Sequence, residues 1–402
     1  MASDRISGDI RGDIKEGRIQ PGGERSRVLR ILVVRPDRMG DVILSTPVFE
    51  VIKRHYPNSK LTVMVQHSIA PLLKGISSVD DVMIYDPNGR HSGFRGFFRL
   101  LRDIRVKRFR IAVVLQTQFR ISLSIFIARI RYRVGPLSKI HSFFFFNRGV
   151  RQHRSQVEMH ETDYNLQLLR KLGIRIGTRN IPTAVGLSPE NIEAAKAWLA
   201  TQGYNGNEPL VVVHPGMGGS ALNWPETHYV DLIRVLVRDG RKVLITSGPL
   251  DRVQVEKVVE SLGPIREKVM VYGLNEKRGL DFFAGILNAA TVVVAPSTGP
   301  LHVAVALKKP VVTFYPPIRV QSALRWGPYL PDESRASLLV PEVYCGEDFK
   351  CRGNLCNYFP CMKTVTVASA VEQVNAQLAR AQEERVASQP APAKKDLVPS
   401  SV

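Results

Sequence analysis

Short apolar runs alternate along this chain with longer stretches in which apolar residues recur every three or four positions, and the alternation occurs twice. In the first series, Arg30–Val34, Leu61–Val65, Asp81–Tyr85, Ile111–Leu115 and Tyr132–Gly135 read as strands. Helices are expected to begin at Asp41, Ser68, Gly93, Ile121 and His160, the last ending at Gly173. A capped helix opens at Ser188-Pro189-Glu190, with proline in its first turn. In the second series the strands are Leu210–Val213, Lys242–Thr246, Val269–Tyr272, Thr291–Val294 and Pro310–Tyr315. Helices are expected from Pro225 or Glu226, over Gly279–Ala289 and from Pro300, with a last amphipathic helix over about Val367–Glu384. Regular strand–helix alternation predicts an α/β chain with two Rossmann-like, doubly wound parallel sheets.

This pattern divides the chain into a flexible arm over 1–27, a first domain over 28–187 and a second over 188–340. A cysteine-rich segment over 341–365, a helix over 366–384 and a disordered tail over 385–402 follow. The 402 residues suffice for two full cores. No apolar run approaches the roughly 18 residues of a membrane-spanning helix. The N-terminus has no apolar stretch of the kind a secretory signal needs, so a cytoplasmic protein is expected.

Charge changes the picture. The net charge is +20 and the pI about 10.0, and the excess is concentrated. Between His91 and Val157 there are fifteen Lys and Arg against one acid, Asp103. Phe94, Phe97, Phe98, Phe109, Phe119, Phe126 and the run Phe143 to Phe146 are interleaved with them. Such a stretch suits an anionic membrane surface, a phosphorylated substrate or RNA.

Candidate chemistry sits at strand-to-helix turns. Ile31 to Pro47 reads as strand, glycine turn and helix start, with Asp41 at the mouth of the crevice as a helix cap or a catalytic carboxylate. Ser297-Thr298-Gly299 opens another helix, with amide groups and a hydroxyl suited to a diphosphate and with His302 one turn on. The glycine-rich loop His214 to Ser220, including Gly216, and the turn Ser247-Gly248-Pro249 belong to the same sheet edge. Three such loops on one edge point to a nucleotide site.

The segments RPDRMGDVILSTPVFEVIK (35–53), VVVHPGMGGSALNWPETHYVDLI (211–233) and APSTGPLHVAVALKKPVVTFYPP (295–317) together resemble glycosyltransferase family 9, the heptosyltransferase-like enzymes of lipopolysaccharide core assembly. The resemblance spans about residues 28–380 and implies a GT-B architecture, two Rossmann-like domains around a cleft, with a C-terminal helix packed back across the first domain. It implies an acceptor site in the first domain and a nucleotide sugar in the second. Asp41 would be the catalytic base of an inverting transfer. Ser297, Thr298, Gly299 and His302 would meet the donor, with His214, Gly216 and Asp251 as further donor contacts and Asp251 on the ribose. A helix N-terminus would replace a divalent metal at the leaving diphosphate, in keeping with the lack of an Asp-x-Asp motif, and no cofactor is expected. Two positions depart from the family pattern: Leu222 stands for a lysine and Ser297 for an aspartate, which leaves the donor open between ADP-heptose and another nucleotide sugar. Arg325 is a candidate for the missing phosphate charge.

Cys345, Cys351, Cys356 and Cys361 fall within seventeen residues without a C-x-x-C pair. Zinc, two disulfides or reduced thiols are the options; a cytoplasmic setting disfavours disulfides, and reduced structural thiols stand slightly ahead of a metal.

The expected function is therefore metal-independent, inverting transfer of a sugar, heptose by family default. The acceptor is a lipopolysaccharide core or related lipid-linked molecule at the anionic inner face of the inner membrane, and no nucleic-acid partner is expected. The alternatives are a sugar-nucleotide epimerase of the same fold and a non-catalytic binder of anionic surfaces or nucleic acid.

Overall fold

Strand β1 (Arg30–Val34) is central because Ile31, Leu32, Val33 and Val34 are all fully buried, which requires cover on both faces. It pairs in parallel with β2 (Lys60–Val65) on one side and β4 (Ile111–Val114) on the other. With β3 (Asp81–Ile84), β5 (Tyr132–Pro136) and β6 (Arg148–Val150) the sheet order is β3-β2-β1-β4-β5-β6. The computed structural model describes residues 28–176, 181–219, 221–275, 278–345 and 350–387. The arm expected over 1–27, the tail beyond 387, Ser220 and residues 346–349 of the cysteine-rich segment lie outside the described residues.

The second sheet is built from β7 (Leu210–Val213), β8 (Lys242–Thr246), β9 (Met270–Tyr272), β10 (Val292–Pro296), β11 (Val311–Phe314) and β12 (Ala336–Leu339). Its order, β12-β11-β10-β7-β8-β9, repeats the first sheet's when read from the opposite edge, and every pairing is parallel. In each sheet the chain reverses its direction of travel between the two central strands, the crevice where open α/β sheets take ligands. The turn after β1 carries Asp41, and the turn after β10 carries Ser297.

Side chains alternate across β1. Ile31 and Val33 pack with Val48, Phe49 and Ile52 of one helix layer, whereas Leu32 and Val34 pack with Leu100, Ile104, Ile121 and Ile125 of the other. The two units also share an apolar seam: Ile43 and Leu72 are buried in one cluster with Phe283, Ile286 and Leu301 of the second unit. Full burial of one such side chain contributes about 1.5–3 kcal/mol.

Several expectations are corrected. The helix expected from Asp41 is two helices, α1 (Met39–Ile43) and α2 (Thr46–His55), because Pro47 lacks an amide for the Ile43 carbonyl. The Thr46 hydroxyl donates to that carbonyl instead, at 2.7 Å. The start expected at Ser68 is only a short 3₁₀ turn, Ala70–Leu73. Helix α3 (Gly93–Val106) begins as expected, and α4 (Phe119–Ile127) two residues early. An extra helix α5 (Ile140–Phe145) precedes β6, and α6 (Glu161–Gln167) follows the capping residue His160. Helix α7 (Pro189–Thr201) leads into the second series of α8 (Glu226–Arg238), α9 (Arg252–Glu260), α10 (Leu280–Ala289), α11 (Gly299–Ala306) and the short α12 (Ala323–Trp326). The last helix, α13 (Val367–Ala387), runs beyond Glu384. Its Ala370, Val374 and Leu378 enter the core of the second sheet beside α8, not the first domain that the family resemblance implied.

Candidate functional site

Asp41 stands in the first turn of α1, where the helix dipole favours a carboxylate. It caps nothing: Arg38 is the N-cap residue, and no side chain caps that helix. Its Oδ1 accepts instead from Nη2 of Arg35 at 2.6 Å. Arg35 leaves the end of β1 and is buried to 2% exposure. Burial works against its charge, but Asp41, Asp37 and Glu161 outweigh that and hold the guanidinium above its ordinary range. Asp37, whose Oδ1 is 2.9 Å from Arg35 Nε, is pushed up to about 6, chiefly by burial.

Facing this turn is the start of α11. Thr298 is its N-cap residue, Pro300 has no amide to satisfy, and the other first-turn N–H groups have no partner within the helix. His302, one turn in, is 4% exposed, and its Nδ1 has no hydrogen-bond partner in the protein. Burial, with a smaller effect of His160, pushes its pKa down to about 3, so the ring is neutral at physiological pH. A methyl at Gly40 would stand 2.8 Å from His302 Cδ2, and one at Gly299 would meet Met39. The two helix starts thus approach each other through glycine, one from each unit.

They border a cavity of about 450 Å³. Arg38, Gly40 and Asp41 line it from the first unit; Ser297, Thr298, Gly299 and His302 line it from the second, with Gln321 and Trp326 closing one side. Five of the residues singled out by sequence therefore converge on one space. A carboxylate, free helix-start amides, an exposed guanidinium and a neutral imidazole suit proton abstraction beside a bound anion.

Other expected contacts lie elsewhere. His214 is buried, with Nδ1 3.0 Å from Thr246 Oγ1 and Nε2 3.7 Å from Asp251 Oδ2. Asp251 also accepts from the Gly218 amide and packs where a Cβ on Gly216 would sit. This carboxylate holds the glycine loop closed and is absent from the cavity wall. Its pKa stays low although burial would raise it, because His214 and the loop amides favour the charge. Arg325 does not line the cavity either; its Nη2 is 3.3 Å from Glu161 Oε2. At the position of the departed lysine, the Leu222 amide donates to Gln321 Oε1 at 3.1 Å.

Cys345 and Cys356 are half-buried, Cys351 is exposed and Cys361 is buried. Burial, then Cys351 and Cys356, raise the Cys361 thiol. Among the described residues no group of His, Cys, Asp and Glu is arranged to hold a metal ion. No helix among them is long and apolar enough to cross a membrane.

Arg38, Gln321, Arg35 and Glu161 were not read as site residues from sequence. Arg38 carried a signal, its place in the glycine turn beside Asp41; Glu161 carried none, since an acid in a first helical turn is ordinary dipole complement.

Comparison with known proteins points to one family. The family model for glycosyltransferase family 9 (heptosyltransferase) matches residues 97–354. A putative glycosyltransferase of Haemophilus influenzae is 29% identical over 307 residues, covering 74% of this chain and 86% of that protein. Lipopolysaccharide heptosyltransferase 2 of Escherichia coli is 25% identical over 316 residues, covering 78% of this chain and 88% of that one. Among solved structures, a glycosyl transferase family 9 protein of Veillonella parvula aligns with a TM-score of 0.77 at 21% identity, over 89% of this chain and 100% of that one. ADP-heptose lps heptosyltransferase II of E. coli aligns at 0.72, also at 21% identity and over 89% and 100% of the two chains.

Proposed function

Because the chain belongs to glycosyltransferase family 9, the heptosyltransferases, and is a glycosyltransferase of GT-B architecture, we propose that it moves a sugar from a nucleoside diphosphate donor to a hydroxyl of a lipopolysaccharide core or related lipid-linked acceptor. ADP-heptose is the first donor to test. One observation carries this reading: Asp41 and the unpartnered Nδ1 of buried His302 belong to residues of the same cavity, at the start of α11. The epimerase alternative is not favoured, since the family model and the relatives above are those of transferases.

In this reading Asp41 takes the proton of the acceptor hydroxyl through the oxygen that Arg35 leaves free. The acceptor oxygen attacks the anomeric carbon from the face opposite the diphosphate, that carbon's bond to the diphosphate oxygen breaks, and the configuration inverts. The departing diphosphate gains charge, which the amides of Thr298 and Gly299 and the guanidinium of Arg38 stabilise. Neutral His302 offers a hydrogen bond without adding charge. Trp326 stands beside the same space as a wall for the sugar or base.

The lipid-linked class of acceptor is supported by the surface of α3, α4 and α5. Phe94, Phe98, Phe119, Phe126, Ile140, Phe143 and Phe144 are exposed there among the arginines of the same stretch. The starts of these helices follow β3, β4 and β5, at the same carboxyl edge of the sheet as the Asp41 turn. We place this face on the anionic inner leaflet of the inner membrane, with the enzyme held there peripherally from the cytoplasm.

The test is transfer from a panel of nucleotide sugars, including ADP-heptose, to a truncated core acceptor. Asp41→Ala is expected to lower the rate by about 10²–10⁴-fold with donor affinity kept, the effect of removing a general base. EDTA is expected to change nothing. Equal rates in wild type and Asp41→Ala would overturn the assignment.

A further inference from the structure

Helix α6 grips the segment around Asp41 at three places. Glu161 Oε1 accepts from Arg35 Nη1 at 3.2 Å, and the same Arg35 holds Asp41 Oδ1. The Thr162 hydroxyl donates to the Leu44 carbonyl at the end of α1, at 2.9 Å. Asn165 donates to Ser45 Oγ at 3.2 Å, and Ser45 Oγ donates to the Asp41 carbonyl at 2.7 Å. Glu161 is 1% exposed and also accepts from Arg154. Burial alone would raise its carboxyl; Arg154, Arg35 and Arg325 outweigh burial and keep it charged.

The first turn of α6 is also held from the donor side. Arg325 Nη2 is 3.3 Å from Glu161 Oε2, His160 Nε2 is 2.9 Å from the Gly327 carbonyl, and Tyr329 donates to Asp163 at 2.9 Å. Arg325 lies over the ring of Trp326 at 4.6 Å, and Trp326 lines the cavity. A continuous path of polar contacts thus joins a wall of the donor cavity to the carboxylate at the reaction centre: Trp326, Arg325, Glu161, Arg35, Asp41.

We infer that Glu161 is a positioning residue for Asp41, acting through Arg35, and that Arg325 makes this positioning depend on the docking of segment 319–330 against α6. The inference rests on Asp41 being the base. Glu161 fixes the guanidinium plane of Arg35; that plane fixes which oxygen of Asp41 is occupied and which faces the acceptor. When the donor-side segment moves away, Glu161 loses one of its three arginines, and the base loses its fixed orientation until the two units close.

The experiment is steady-state kinetics of Glu161→Gln, Arg325→Ala and Arg325→Lys, each alone and combined with Asp41→Asn. Glu161→Gln is expected to lower kcat by about 10–100-fold while the donor KM stays within about threefold, the sign of lost orientation and not lost binding. Arg325→Ala is expected to lower kcat severalfold, and Arg325→Lys to recover most of it. In the Asp41→Asn background none of the three is expected to lower the residual rate further, because they act only through that carboxylate. Losses that multiply in both backgrounds would mean that Glu161 is a general scaffold, and would overturn the inference. So would unchanged kcat in Arg325→Ala with Asp41→Asn inactive; that variant also decides the matter if Glu161→Gln fails to fold. An active Asp41→Asn would instead overturn the base assignment itself.

Discussion

Gly40 of the first unit and His302 of the second are so close that a single methyl at position 40 would come within 2.8 Å of the imidazole Cδ2. The ring is buried at the cavity wall. Gly40→Ala is therefore expected to force α1 and α11 apart and to lower kcat at least about tenfold, since misplacements near 1 Å cost on that scale or more. Gly299→Ala overlaps chiefly the flexible Cε end of Met39, with Met39 Cβ and Cγ at 3.3 and 3.4 Å, so its loss is expected to be smaller. Kinetics of the two variants side by side check the order.

His302 ties stability to pH. Its folded pKa, about 3, lies below the ordinary 6.5, so between those values the unfolded chain binds the extra proton. This contribution is complete above pH 6.5 and is lost as pH falls toward 3. The wild type is expected to gain up to about 1.4 kcal/mol per pH unit from this one group across that window. His302→Gln is expected to remove that part of the slope. Urea unfolding of both proteins at pH 4.5, 5.5 and 6.5 measures it.

Trp224, which precedes Pro225, is a core residue. It is 1% exposed, stacks on Phe314 at 4.3 Å and donates from Nε1 to the Val365 carbonyl at 2.8 Å. Trp224→Ala is expected to cost about 3–5 kcal/mol and to loosen the chain leading into α13. A lowered denaturation midpoint together with faster amide exchange in α13 would show both effects.

The face made by α3, α4 and α5 yields a binding prediction. Phe94 and Phe144 are 78% and 73% exposed. Co-sedimentation with vesicles containing phosphatidylglycerol is expected, and little with phosphatidylcholine alone. Phe94→Ser with Phe144→Ser is expected to weaken vesicle binding by about tenfold or more, since burying one phenylalanine is worth about 1.5–3 kcal/mol. Transfer to a soluble acceptor analogue should be unaffected. Equal binding to both vesicle types would remove the charge argument.

What was legible in the sequence is what is local. Ile31 to Val34, Gly40 and Asp41 announce strand, turn and helix start within one short window, and the structure builds those elements there. Ser297 to His302 read the same way. What was not legible is long-range or a matter of propensity. Arg35 and Glu161 are 126 residues apart, and neither carries a local sign of the other. Asp251 follows a glycine turn, and its bond to the Gly218 amide of the loop across the sheet edge has no local sign either. Helix α9 was missed because its Val253, Val255, Val258 and Val259 favour strands in isolation. The edge strand β12 is short and only half covered, so its apolar signal is weak.

The side chains that lock the two units near Asp41 have one more consequence. Arg35, Arg154 and Arg325 face Asp37, Asp41 and Glu161, three positive charges against three negative. The lock is electroneutral and largely shielded from solvent, whereas the arginine-rich outer face is neither. At 0.15 M salt, exposed charges are screened over about 8 Å and buried pairs much less. Rising ionic strength is thus expected to weaken contacts made by the outer arginine face well before it weakens the lock around Asp41.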